Sequence, residues 1–114
     1  DLFREALADA ELLVPEIKVL SNYTGGFHDD DVEGIKDRLY FQLKHPDMWD
    51  ANLQTALADG VDKIYEFGGG IGPGDPEEKR PNLEGMIKKA VRSLDPRPDY
   101  FPAINAETIA AITS

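Results

Sequence analysis

Apolar positions recur along the chain with two different spacings. Leu2, Phe3, Ala6, Leu7 and Ala10 fall at helical intervals, so the opening predicts an amphipathic helix. Pro15 then demands an extended approach. "IKVLSN", residues 17–22, is short, mostly apolar and rich in β-branched side chains, which predicts a strand buried on both faces. "YTGGFHDDD" breaks the pattern at Gly25 and Gly26 and predicts a loop. Asp31 is a suitable N-cap for a helix whose stripe is Val32, Ile35, Leu39 and Leu43. That helix must stop near His45, because Pro46 disfavours helix in the residue before it.

Pro46 suits the first turn of a following helix, where its missing N–H costs nothing. Trp49, Leu53, Ala56 and Leu57 are that helix's apolar stripe, and Gly60 is a natural C-terminal stop. "VDKIYEFG", residues 61–68, predicts a second strand. Residues 68–81 form a flexible Gly/Pro-rich loop. Leu83, Met86, Ile87, Ala90 and Val91 predict a further amphipathic helix. Residues 95–114 read as a Pro-rich linker, then a short terminal helix capped by Asn105 and carrying Ile109 and Ile112.

Two strands separated by a mostly helical stretch cannot form a hairpin, so they are expected as parallel members of one sheet. The expected fold is α/β, with two parallel strands and four to five helices. Two parallel strands make a poor free-standing core. The pattern therefore reads as a slice of a larger sheet. The first residue is Asp1, in a segment already helical in character, which suggests a processed or partial chain.

Composition narrows the function. The 114 residues suit one ordinary domain. With 41% apolar residues and no run near the roughly 18 needed for a membrane span, the chain reads as soluble. The lack of cysteine excludes disulfides, thiolate metal sites and a cysteine nucleophile. A net charge of −10 repels nucleic acid and anionic lipid and leaves a basic protein surface as the natural electrostatic partner.

Candidate chemistry is sparse. Residues 68–81 lack Gly-Lys-Ser/Thr and fit no G-x-G-x-x-G register, so they do not read as a phosphate cradle. His28 with Asp29, Asp30 and Asp31 resembles a metal cluster, but four consecutive residues seldom converge on one ion. The simpler reading is acids at a helix N-terminus, and no metal or cofactor is expected. Ser21, Ser93 and Ser114 are the only serines and His28 and His45 the only histidines. No serine stands in G-x-S-x-G, so no catalytic residue is expected within the chain.

Four stretches carry a resemblance. "VPEIKVLSNYTG" is similar to a proline–strand–Ser-Asn-x-Thr/Asp pattern. "IKDRLYFQLKHPDMW" is similar to Ile-x-x-x-Leu-x-x-Gln-Leu-x-x-Pro-x-x-Trp. "ALADGVDKIYEFGGG" is similar to Gly-Val-x-x-x-x-Glu-x-Gly-Pro-Gly, and "NLEGMIKKAV" to Leu-x-Gly-Leu-Ile-Lys. In this order they resemble the C-terminal part of malonyl-CoA:acyl-carrier-protein transacylases and the acyltransferase domains of polyketide synthases. The resemblance implies a partial acyltransferase-like (α/β-hydrolase-like) core over residues 1–94, with residues 68–81 as an inserted loop.

The resemblance also implies a role for Gln42, whose main-chain carbonyl would orient a catalytic histidine so that its other nitrogen takes a serine's proton. Pro46 and Trp49 would turn the chain and anchor the next helix. The family's serine elbow, oxyanion residues, arginine and catalytic histidine have no counterpart in this sequence. The arginine usually before that Gln is Phe41 here. Two functions follow as expectations. One is the C-terminal portion of an S-malonyltransferase-like protein of fatty acid or polyketide synthesis, not catalytic as it stands. The other is a non-catalytic structural accessory subunit of a large assembly, in an organelle or elsewhere, derived from a truncated acyltransferase fold. Partners would be the remainder of the fold or another protein, with acyl carrier protein and malonyl-CoA for the full enzyme. The compartment would be the cytoplasm, or a plastid or mitochondrion after removal of a leader.

Overall fold

The structure is a computed structural model and describes residues 2–113; Asp1 and Ser114 lie outside the described residues. Among those described, five α-helices and one two-stranded parallel sheet make an α/β chain. It divides after Gly60 into two compact units.

The first unit is helical. α1 (Leu2–Asp9) meets α2 (Val32–Phe41) through the Arg4 guanidinium, which lies 4.5 Å from the Tyr40 ring centre and 3.2 Å from Asp37. Asp31 stands at the N-cap of α2 in an extended conformation, but its side chain makes no capping bond. Ile35 is buried, whereas Leu43 is 61% exposed. The stripe fails at Leu43 because the backbone tightens into a 3-10 turn over Gln42–Lys44. Such a turn has fewer residues per revolution and rotates later side chains off the helical face. His45 is extended (φ −130°, ψ 152°), as Pro46 requires. Helix α3 (Trp49–Ala58) opens at Trp49, so Pro46 precedes the helix and does not occupy its first turn. Gly60 ends it with φ +94° and an N–H donated to the Leu57 carbonyl at 3.1 Å.

Residues 17–22 do not form a strand. They contribute one antiparallel bridge, Leu20 to Phe27. The backbone groups a ladder would use are taken by a tight reversal, with Ser21 N–H donating to Gly26 O at 2.8 Å and His28 N–H to Val19 O at 2.8 Å. Ile17 is 78% exposed, so the doubly buried environment that the run predicts is not supplied. Gly25 lets this reversal approach α3. Its φ is +73°, and a Cβ there would lie 2.6 Å from that of Ala51.

The second unit is a β–α–β arrangement with a closing helix. β1 (Lys63–Phe67) pairs in parallel with β2 (Asp99–Ala103), in register from Lys63 opposite Asp99 to Phe67 opposite Ala103. The parallel pair is therefore present, but β1's partner lies within the stretch read as linker. The prolines at 96, 98 and 102 hide it in the sequence. In a two-stranded sheet every strand is an edge strand, where proline is tolerated. The crossover between them carries α4 (Glu84–Val91), whose Ile87 and Val91 are buried. Residues 68–81 are tied together at their base, since Ile71 and Arg80 exchange backbone hydrogen bonds at 2.8 and 3.0 Å. Helix α5 (Ala106–Thr113) is capped reciprocally. Thr108 N–H donates to Asn105 Oδ1 at 2.8 Å, and Thr108 Oγ1 accepts the Asn105 N–H at 3.1 Å.

Alternation along β1 sorts its side chains between two faces. Ile64 and Glu66 face α4, and Glu66 is buried. Tyr65 and Phe67 point to the other face, with Tyr65 stacked on Phe101 at 5.2 Å. There they border a cavity of about 320 Å³ closed on one side by Ile109 and Ile112 of α5. Phe67 remains 79% exposed.

Candidate functional site

Ser21 sits at the start of the reversal that docks on α3. Its hydroxyl oxygen accepts the N–H groups of Tyr23 (3.1 Å) and Thr24 (3.4 Å), and the residue is 1% exposed. An oxygen held by two backbone donors and closed to solvent orders a turn. The turn is fastened to α3 by three bonds. Met48 N–H donates to Asn22 O (2.9 Å), Asn52 Nδ2 to Asn22 Oδ1 (3.1 Å), and Thr55 Oγ1 to Gly25 O (2.6 Å). Ser93 lies exposed beyond α4, and Ser114 is outside the described residues.

Among the described residues both histidines are hydrogen-bonded to groups other than serine. His28 Nδ1 accepts the Nε–H of Arg38 at 2.8 Å, and the same guanidinium reaches Asp29 at 2.9 Å. Burial lowers the His28 pKa below its ordinary value, the Arg38 charge lowers it further, and Asp29 opposes both. Two of the four residues suspected of metal binding thus hold an arginine. Among the described residues no group of three or more His, Asp or Glu side chains is placed to hold an ion.

His45 Nδ1 lies 2.8 Å from the Phe41 carbonyl. The carbonyl can only accept, so Nδ1 carries a proton and donates it to this bond. This is the tautomer-setting arrangement that the resemblance assigns to the Gln42 carbonyl, made one residue earlier and by a histidine of this chain. The imidazole is held by ring contacts to Tyr23 (5.0 Å) and Phe41 (6.5 Å). Gln42 is half-buried in the 3-10 turn. Pro46 is exposed, and Trp49 is half-buried at the head of α3.

The best-organised polar group in the chain is one that pattern reading passes over. The Glu66 carboxylate is 8% exposed. It accepts the N–H of Asn82 at 2.8 Å, the N–H of Leu83 at 3.0 Å and the hydroxyl of Tyr100 at 2.6 Å. A strand residue thus caps the start of α4, where unpaired N–H groups and the helix dipole favour an anion. The Tyr100 pKa is pushed well above its ordinary value by burial and by the Glu66 carboxylate that its hydroxyl serves. The signal was a lone acid among Ile64, Tyr65 and Phe67 on a strand. Such a residue reads as solvent-facing until the partner strand and α4 are placed.

These features define an α/β chain whose polar networks, among the described residues, fasten turns and helix ends. No protein-family model, curated protein or solved structure matches it. No helix among the described residues is long and apolar enough to cross a membrane.

Proposed function

We propose that this chain is the C-terminal portion of a malonyl/acyl-CoA:acyl-carrier-protein transacylase-like protein and transfers no acyl group by itself. The observation that carries this reading is Glu66. The resembled pattern Gly-Val-x-x-x-x-Glu-x-Gly places a glutamate at this position, and the carboxylate here joins strand, helix start and second strand. A motif residue with a structural task of this kind supports kinship in fold more than kinship in chemistry. The buried, doubly hydrogen-bonded Ser21 supports the absence of acyl transfer.

Exposed surface supports incorporation into something larger. The chain exposes 8055 Å². Within it Leu13 is 81%, Ile17 78% and Phe67 79% exposed, apolar surface of the kind that marks an interaction site. The exposure of Tyr65 and Phe67 equally supports the second reading, an accessory subunit whose partner covers that face. Sequencing the transcript on the 5′ side of the Asp1 codon separates the two. A Gly-His-Ser-x-Gly segment and a further histidine are expected for the transacylase. An in-frame start with neither would replace it by the accessory subunit. Incubation with labelled malonyl-CoA and carrier protein should leave the isolated chain unlabelled, and acyl label on Ser21 or Ser93 would refute that part.

A further inference from the structure

The chain carries 12 Lys and Arg against 22 Asp and Glu, yet four of those cations border one concavity. It has a volume of about 600 Å³ and lies between the C-terminal half of α4 and the segment entering β2. Lys88 and Lys89 stand in the last turn of α4, where cations offset the negative end of the helix dipole. That accounts for two of the four. Arg92 and Arg97 lie beyond the helix. The Arg97 guanidinium is drawn back by a 2.7 Å bond to the Arg92 carbonyl, which holds it beside the others.

The nearby acids are in part engaged elsewhere, the Glu66 carboxylate behind Tyr100 by the Asn82 and Leu83 N–H groups and the Tyr100 hydroxyl. Lys88 is paired with Glu84 at 2.8 Å, and Asp99 is the one carboxylate on the wall. Among the described residues Lys89 and Arg92 enter no ion pair. Like charges gathered at a concave surface focus a positive potential, at a cost in mutual repulsion that an anion would relieve. The volume falls in the range of small-molecule sites. Pro98 and Tyr100 add flat, largely apolar wall. Gly85 has no side chain, and a Cβ placed there would meet nothing within 4 Å.

We propose that this cavity binds a small organic polyphosphate of the nucleoside triphosphate class. Arg92 and Arg97 would take phosphoryl oxygens through paired N–H donors, for which guanidinium is suited. Lys89 would supply a point charge, and the ring of the ligand would rest on Pro98 and Tyr100. The inference is independent of any acyl-transfer role.

Titration of the whole chain with ATP, followed by amide ¹H–¹⁵N shifts, tests it. Saturable shifts are expected within residues 85–100, with AMP and inorganic tripolyphosphate each binding more weakly than ATP. Arg92→Glu and Lys89→Glu should each weaken ATP binding by about tenfold or more. Among the described residues Lys89 makes no side-chain hydrogen bond or ion pair, so its variant stays informative even if Arg92→Glu unfolds. Lys36→Glu, in the other unit, should leave binding as it was. Shifts that fail to saturate, that spread equally to Lys18 and Lys36, or that persist unchanged in Lys89→Glu would overturn the site. Tripolyphosphate binding as tightly as ATP would overturn the nucleoside assignment.

Discussion

His28 and Tyr100 give the molecule its expected responses to pH. His28 accepts a proton-bearing nitrogen of Arg38, so protonating the ring replaces a hydrogen bond with a repulsion. Its folded pKa lies below the ordinary 6.5, so the unfolded chain binds the proton first. Stability is therefore present above about pH 6.5 and lost as pH falls through the lowered value. Urea melts between pH 5 and 7.5 should show that slope, and His28→Asn should flatten it. Tyr100 has the opposite sense. Its folded pKa is raised above 10.0, so the stability it confers is complete below about pH 10 and declines as pH rises further. In an ultraviolet titration Tyr40, lowered by the Lys44 hydrogen bond, should ionise before Tyr100. Tyr100→Phe should cost about 1–2 kcal/mol, and Glu66→Ala, which strands two N–H groups, about 3 kcal/mol. The sequence shows Glu66 only as a letter in a pattern. Its three donors come from positions 82, 83 and 100, and no local rule joins them to it.

Elements were legible where one face is apolar over several turns. The helices around Ile35, Leu53 and Ile87 fall where periodicity places them, and the strand at Lys63–Phe67 lies inside the apolar run that announces it. What escaped was pairing. The run at 17–22 has strand-like composition but no neighbour, whereas Asp99–Ala103 has prolines against it and a strand beside it. Pairing is a property of two segments, and composition describes one. Helix phase at α3 gives an element-scale test. Trp49 lies on the predicted stripe, but it opens the helix half-buried, while Leu53 is 8% exposed. Leu53→Ala should cost about 3 kcal/mol and Trp49→Ala about 2 kcal/mol, because cavity cost follows burial more than side-chain size. Denaturant midpoints that reverse this order would place Trp49 deeper than its neighbour.

For the whole molecule the deciding quantity is uncovered apolar surface. Leu2, Leu13, Ile17 and Phe67 are each more than three-quarters exposed. β1 and β2 pair only with each other among the described residues, and each leaves its outer edge as a template for another strand. Self-repulsion at a net charge of −10 opposes association of copies at low salt, and added salt screens it. Light scattering should therefore give a mass that rises with protein concentration, and rises further in about 0.3 M salt than in about 10 mM. A single mass near 12.6 kDa across that range would show that the sheet face and edges need no cover.

The Ile71–Arg80 pair has a practical corollary. With both ends clasped, Glu66 holding the backbone at Asn82 and Leu83 and Asn105 Nδ2 donating to the Pro76 carbonyl at 3.0 Å, residues 72–79 form a closed loop whose tip the sheet and α4 do not depend on. Chain added at its tip lengthens a loop already closed and disturbs no register. Ten Gly/Ser residues inserted after Gly74 should lower stability by under about 1 kcal/mol, the entropy of closing the longer loop. That makes the tip a natural port for a fluorescent reporter or affinity tag, checked by comparing melts of the tagged and untagged chains.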